Sequence, residues 1–117
     1  MGVNPVVGTN IINSMFRRGF KMDFHIEKLS ATKTVTVDHP PCLVLDPNAA
    51  SQQVDLPAEA DSEGLMFFIF NDGDGSQTLV VKDDGGTTII TLIFPIHAGW
   101  VHCDGVKWRG IVSDGVT

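Results

Sequence analysis

From Thr34 onward the chain alternates apolar and polar residues in short runs, and the runs are separated by glycine, proline, asparagine and aspartate. That is the period of a β-strand, whose successive side chains point to opposite faces. "TVTVD" (34–38), "CLVLD" (42–46), "VDLP" (54–57), "LMFFIF" (65–70), "TLVVKD" (78–83) and "TTIITLIF" (87–94) each predict a strand. "AGWVHCD" (98–104) and "VKWRGIV" (106–112) predict a closing hairpin around Asp104–Gly105, a pair that accepts positive φ readily. Pro40 and Pro41 keep their own positions out of a central strand, and Pro57 stops the run before it. "AEADSEG" (58–64) reads as an acidic loop or a single helical turn. About eight short strands with turn signals between them predict an all-β domain, an antiparallel β-sandwich or a jelly-roll-like barrel.

Residues 1–33 carry a mixed pattern. Ile12, Phe16 and Phe20 recur at the spacing of one face of a short helix, with Asn10 placed to cap it and Gly19 interrupting it. Met22, Phe24 and Ile26 then alternate with Asp23, His25 and Glu27, as in a strand. The chain therefore divides into an N-terminal extended arm, residues 1–33, and a β-body, residues 34–117.

Two strands are apolar on both sides. Met66, Phe68 and Phe70 alternate with Leu65, Phe67 and Ile69, and Ile90, Leu92 and Phe94 alternate with Ile89, Thr91 and Ile93. A sheet with one wet face alternates apolar and polar residues, so a second covering is required. An uncharged run such as "LMFFIF" is an aggregation hazard if left open. With little helix to supply the cover, the expected solution is contact between subunits, with Met66, Phe68, Phe70, Ile90, Leu92 and Phe94 on the seam.

The 117 residues fit one domain, and 43% hydrophobic against 19% charged residues is the composition of a folded chain. No apolar stretch approaches the length of a membrane span, and the start lacks the order of a secretory signal. Val6 stands where a myristoylation motif wants Ser or Thr. The net charge of −6 hides a split: residues 1–33 hold five basic and two acidic side chains, and residues 34–117 hold three and twelve. A basic leader on an acidic body points to an arm that docks on an acidic surface. It argues against nucleic acid, because the body repels phosphate and dispersed cations make a poor footprint.

The stretch "FNDGDGSQTLVVKDDGG" (70–86) is the best candidate for a cation loop. Counted from Asp72, the sixth residue is Gln77 and the twelfth Asp83, so the glycine and the bidentate glutamate of an EF-hand are missing. "NDGDG" and "DDGG" read instead as turns between strands. His39, Cys42, His102 and Cys103 have the residue types of a zinc site, but adjacent strand residues such as His102 and Cys103 point apart. Cys42 and Cys103 read as buried thiols or, less simply, as a bonded pair. No serine sits in a nucleophile context, Glu59 and Glu63 lie in a solvated loop, and "GDGSQT" lacks the lysine and helix of a phosphate loop. The expectation is a protein that is not an enzyme, with no cofactor and no metal. Trp100 and Trp108 read as core or interface anchors, or as a stacking platform for sugar.

The segment from Leu56 to Ile111 resembles small β-modules of tailed-bacteriophage virion proteins. The likeness rests on Leu56–Pro57, an acidic spacer, Gly64, an apolar strand ending at Asn71, the turn at Asp84–Gly85, and "CDGVKW" with Cys103, Asp104, Gly105 and Trp108. Such modules occur in head decoration (cement) proteins, head fibres and tail-associated proteins, usually as trimers. The resemblance implies a homotrimer on the outer capsid surface of a virion, made in the host cytoplasm, that stabilises the head and binds the major capsid protein. A chain of this length leaves no room for a fibre shaft, which favours decoration over a tail or fibre tip binding a host glycan through Trp100 and Trp108. Shell grooves that are acidic and apolar, as the resemblance implies, would take Ile12, Met15, Phe16, Arg17, Arg18, Phe20 and Lys21 of the arm. Neither nucleic acid nor membrane is expected as a partner.

Overall fold

A computed structural model describes residues 21–74, 76–93 and 98–113. The strands are β1 (Phe24–Lys28), β2 (Lys33–Thr34), β3 (Cys42–Asp46), β4 (Ser51–Asp55), β5 (Met66–Asn71), β6 (Thr78–Lys82), β7 (Thr88–Ile93), β8 (Ala98–Cys103) and β9 (Trp108–Val112). They form a five-stranded sheet in the order β1-β3-β5-β8-β9 and a four-stranded sheet in the order β2-β4-β6-β7. Among the described residues the helical content is one 3-10 turn, Glu59–Asp61, inside the acidic spacer.

From β1 to β6 the chain changes sheet at every connection. Strands two apart in sequence therefore become neighbours and run the same way. Phe24 aligns with Cys42 and Cys42 with Phe68, while Lys33 aligns with Val54 and Val54 with Val81, all in parallel pairs. The result is a flattened parallel coil of three turns. β7 then folds back on β6, β8 returns antiparallel on β5, and β9 on β8. The protein is all-β, as the alternation predicts, but the sheets are mixed rather than antiparallel. Parallel pairs need a crossover, commonly a helix; here each arch over the core and the strand in the other sheet supply it.

Three of the arches begin with a buried residue that prolongs the ladder. Leu29 N–H donates to Asp46 O, Val35 N–H to Asp55 O and Leu56 N–H to Lys82 O, each at 2.8 Å, and all three side chains are buried. This ends β2 earlier than the sequence predicts: past Val35 the chain turns, with His39 N–H donating to Thr36 O at 3.1 Å. It also moves the boundary of the body. β1 and Leu29 fall within the expected arm, yet they pair with β3 and fill the core, so the body starts at Phe24.

Between the sheets lie Leu43, Leu45, Phe67, Ile69 and Val101 from one side and Val54, Leu79, Val81, Ile90 and Leu92 from the other. Each such side chain, fully buried, contributes about 1.5–3 kcal/mol. Trp108 stacks on Phe67 with ring centroids 6.1 Å apart, and its indole N–H donates to Pro57 O at 3.0 Å. Among the described residues Asn71 is the one buried amide side chain. Its Nδ2 donates to Gln77 O and Leu92 O, both at 3.0 Å, and its Oδ1 accepts from Gly73 N–H at 2.9 Å. The side chain thus ties the end of β5 to β7 across the core, with every polar atom partnered.

At the β8–β9 end the two sheets close on each other. A Cβ on Gly99 would overlap Ile90 Cδ1, and one on Gly110 would lie 2.7 Å from Ile90 Cγ2 and 3.1 Å from Trp100 O. Glycine here permits close approach of two layers. Gly110→Ala is expected to lower stability by roughly 1–3 kcal/mol through overpacking, read as an earlier urea midpoint at unchanged slope. An unchanged midpoint would mean that β7 gives way without penalty.

Candidate interaction surface

Partners in register share a face of a sheet, so the pairings read directly as rows. On the outer side of the five-stranded sheet one row runs Phe24, Cys42, Phe68, Trp100, Ile111. The next runs Ile26, Val44, Phe70, Ala98. Neither row contains a charge. Charged groups begin only in the flanking rows, with Lys28 beside Asp46 on one side and His102 beside Arg109 on the other. Phe24, Ile26 and Ile111 are 62%, 63% and 65% exposed, and Phe70 is 42% exposed. Together with Met66 they present on the order of 600 Å² of apolar surface, at the top of the range for the largest patch on a monomer. The outer side of the other sheet is mixed, with Ser51, Gln53, Asp55, Thr78, Lys82 and Thr91 standing among Val80 and Ile93.

β1 is inside out. Its apolar residues face solvent, whereas His25 and Glu27 share the inner side with Leu43 and Leu45. The cause is position: β1 is the edge strand of the first turn of the coil, and its inner side borders water. There Glu27 Oε1 lies 2.8 Å from His25 Nε2 and 2.6 Å from Lys33 Nζ. The His39 ring packs edge-on against His25 at 5.6 Å, and Thr36 N–H donates to its Nδ1 at 3.0 Å. A polar cluster on the inner side of an edge strand discourages further strand addition. The hydrogen bond from His25, then Lys33, holds the Glu27 carboxyl below its ordinary range. Burial, then the charges of Lys33 and His25, holds the His39 imidazole below its own.

The structure divides the expected seam. Met66, Phe68 and Phe70 lie on the outer face, but Ile90 is 6% exposed and Leu92 is fully buried. These two are core residues, because β7 closes the sandwich at the pinched end and turns them inward over Gly99 and Gly110. Phe94 lies outside the described residues, as do Ile12, Met15, Phe16, Arg17, Arg18 and Phe20. Lys21 is exposed just ahead of β1. Phe24, Ile26, Val44 and Ile111 belong to the face and were not singled out for it by the sequence. Their alternation is visible there, but alternation does not say which side is inside.

The two tryptophans lie on opposite sides of one sheet. Trp108 is buried in the core, while Trp100 is half-buried on the outer face, stacked on His102 at 6.0 Å with its indole N–H directed to Met66 Sδ at 3.3 Å. They do not form one sugar platform. Cys42 and Cys103 also point to opposite sides and are free thiols. Burial pushes the Cys103 thiol above its ordinary range, and its Sγ sits 3.6 Å from Glu59 O and 3.4 Å from Gly105 N.

In the stretch 70–86, "NDGDG" lies in an arch between sheets and "DDGG" in the β6–β7 hairpin. Asp83 Oδ1 accepts from Gly85 N–H at 3.0 Å and Thr87 N–H at 2.8 Å. Gln77 Oε1 accepts from Asp74 N–H at 2.9 Å. The β8–β9 connection is a four-residue loop, in which Asp104 Oδ1 accepts from Val106 and Lys107 N–H and Oδ2 from Arg109 at 2.6 Å. These bonds, Arg109 first, hold the Asp104 carboxyl well below the usual carboxylate range. Among the described residues no three metal-capable side chains converge, and no helix is long and apolar enough to cross a membrane.

A scan against protein-family models and searches of curated proteins and of solved structures found no match to this chain.

A chelator is expected to leave the melting temperature unchanged, because the turn acids already serve backbone N–H groups; a clear fall would expose a cation in residues 72–84. Acid is expected to weaken the fold in two steps. His39 and Glu27 both have lowered folded values, so each contributes stability above its ordinary value, 6.5 and 4.5, that is lost as pH falls below it. Melting temperature against pH checks this, and His39→Gln should flatten the upper step while leaving the lower one.

Proposed function

We propose that this chain is a virion structural protein of the capsid decoration type, a homotrimer that sits on the outer capsid surface and stabilises the head. Its partners are the major capsid protein and other copies of itself, and its role is assembly rather than chemistry. The observation that carries the reading is the pair of uncharged rows, one across five strands and the other across four, a surface that a protein acting alone in water has reason to avoid. Surfaces of this composition are characteristic of contacts between identical subunits, which are more apolar than transient ones.

Two further observations support it. The residues that carry the likeness to virion modules interlock as one structural unit: Leu56 is buried, Pro57 O holds Trp108, Gly64 N–H donates to Cys103 O at 2.8 Å, and Asn71 ties β5 to β7. The likeness is thus one of framework, and the framework is what presents the face. The second is the charge split, which leaves a basic leader ahead of an acidic body. Since β1 belongs to the body, the attachment element shortens to residues 1–21, retaining Ile12, Met15, Phe16, Arg17, Arg18, Phe20 and Lys21. Arginine adds bidentate pairing to carboxylates, and buried apolar side chains add most of the affinity.

Deleting residues 1–21 is expected to abolish co-sedimentation with heads assembled without this protein, while circular dichroism and sedimentation equilibrium still report a folded trimer. A truncated trimer that saturates heads at normal affinity would overturn the role given to the arm. A full-length chain that stays monomeric at micromolar concentration and ignores heads would overturn the whole reading.

A further inference from the structure

The outer face is not uniform. Phe24 and Ile26, 62% and 63% exposed, stand on β1 at one edge of the five-stranded sheet, and Ile111, 65% exposed, stands at the other. Near the opposite edge, between β5, β8 and β9, lies a groove of about 240 Å³ walled by Phe68, Trp100 and Ile111 and floored by Ala98. The cause of the groove is the second row, which drops from Phe70 to the small Ala98 beside Ser113. The ridge and the middle of the groove, at β8, are three strand spacings apart, roughly 14 Å, so one chain cannot bring them together.

We infer that β1 of one copy seats in the β8–β9 groove of the next, so that copies join head to tail. This rests on the reading of the face as a contact between identical subunits, and it names which part meets which. Phe24 and Ile26 supply two large apolar side chains, and the groove is large enough to accept an aromatic ring. No charge stands in either row, so neither partner strands an ion on burial. A partner of other chemistry would need to bring its own apolar ridge, whereas a second copy already carries one. Each head-to-tail contact uses one edge of each copy, so every copy engages two neighbours, and the assembly closes into a ring when the rotation allows.

Lys28 flanks the ridge outside the two rows, and Ser113 lines the groove beside Ala98. The test is the full chain carrying Lys28→Cys, Ser113→Cys and Cys42→Ser, treated at low concentration with a short bismaleimide. Cys103 is buried and stays silent, and circular dichroism reports the fold. Covalent species of three or more copies are expected. Products that stop at two copies would indicate a twofold face-to-face pair and overturn the inference, as would uncrosslinked monomer. In parallel, Phe24→Ser with Ile26→Ser should reduce the assembly to monomers while the chain stays folded, since both side chains are exposed; an unchanged assembly size would overturn the inference too. Co-sedimentation with heads separates the two proposals. Head-to-tail assemblies that ignore heads keep this contact and remove the virion reading, whereas heads bound by a variant chain that never self-associates remove this contact alone.

Discussion

The parallel ladder from β1 through β3 to β5 sets the terms for the rest of the molecule. Because each strand aligns with the one two places on, side chains of like orientation fall into rows that cross the sheet. A row is a continuous surface, so its chemistry is cumulative. The inner rows, from Leu43 and Leu45 to Phe67 and Ile69, belong to one buried core. The outer rows, assembled by the same ladder, make an apolar face that no single strand would present. Core and face are two sides of one arrangement, and altering the register by one residue would exchange them.

The ladder also leaves the two ends of the coil unlike. At one end β7 folds back, glycines let the layers approach, and the core is shut by Ile90 and Leu92. At the other, β1 and β2 have no neighbour beyond them among the described residues, and His25, Glu27 and Lys33 replace apolar residues on the inner side. Inward polar groups protect the open end from strand addition along the coil axis. The outer side of β1 has no such protection. The proposed contacts therefore run sideways from the coil and not end to end.

Much of this architecture was written in the residues, and the parts that were not share a cause. Most strand positions followed from alternation, although β4 (Ser51–Asp55) begins ahead of the expected 54–57 and β2 is shorter than 34–38; the β8–β9 turn followed from Asp104–Gly105 and the helical turn from the acidic spacer, all local properties. Which sheet a strand joins is not local. The connection at 29–32 has the same turn residues whether it makes a hairpin or an arch, so parallel pairing was invisible. The same holds for sides. Ile90 and Phe70 look alike as members of doubly apolar runs, and only the closure of β7 over Gly110 makes one core and the other surface. In β1 the usual rule is reversed, because the strand sits where the core ends.

The coil has a consequence in time as well as in space. A chain emerges from the ribosome with its N-terminus first, and contacts between near neighbours form before distant ones because closing a short loop loses less entropy. β1 leaves first but has no partner until Cys42 follows, and β3 then waits for Phe68. The hairpins β6–β7 and β8–β9 are the most local pairs and are synthesised last. The most local pairs thus come from the segments synthesised last, and the strand that carries Phe24 and Ile26 stays unpaired until Cys42–Asp46 has followed it. His25, Glu27 and Lys28, set between and beside them, keep that nascent segment from reading as an uninterrupted apolar run.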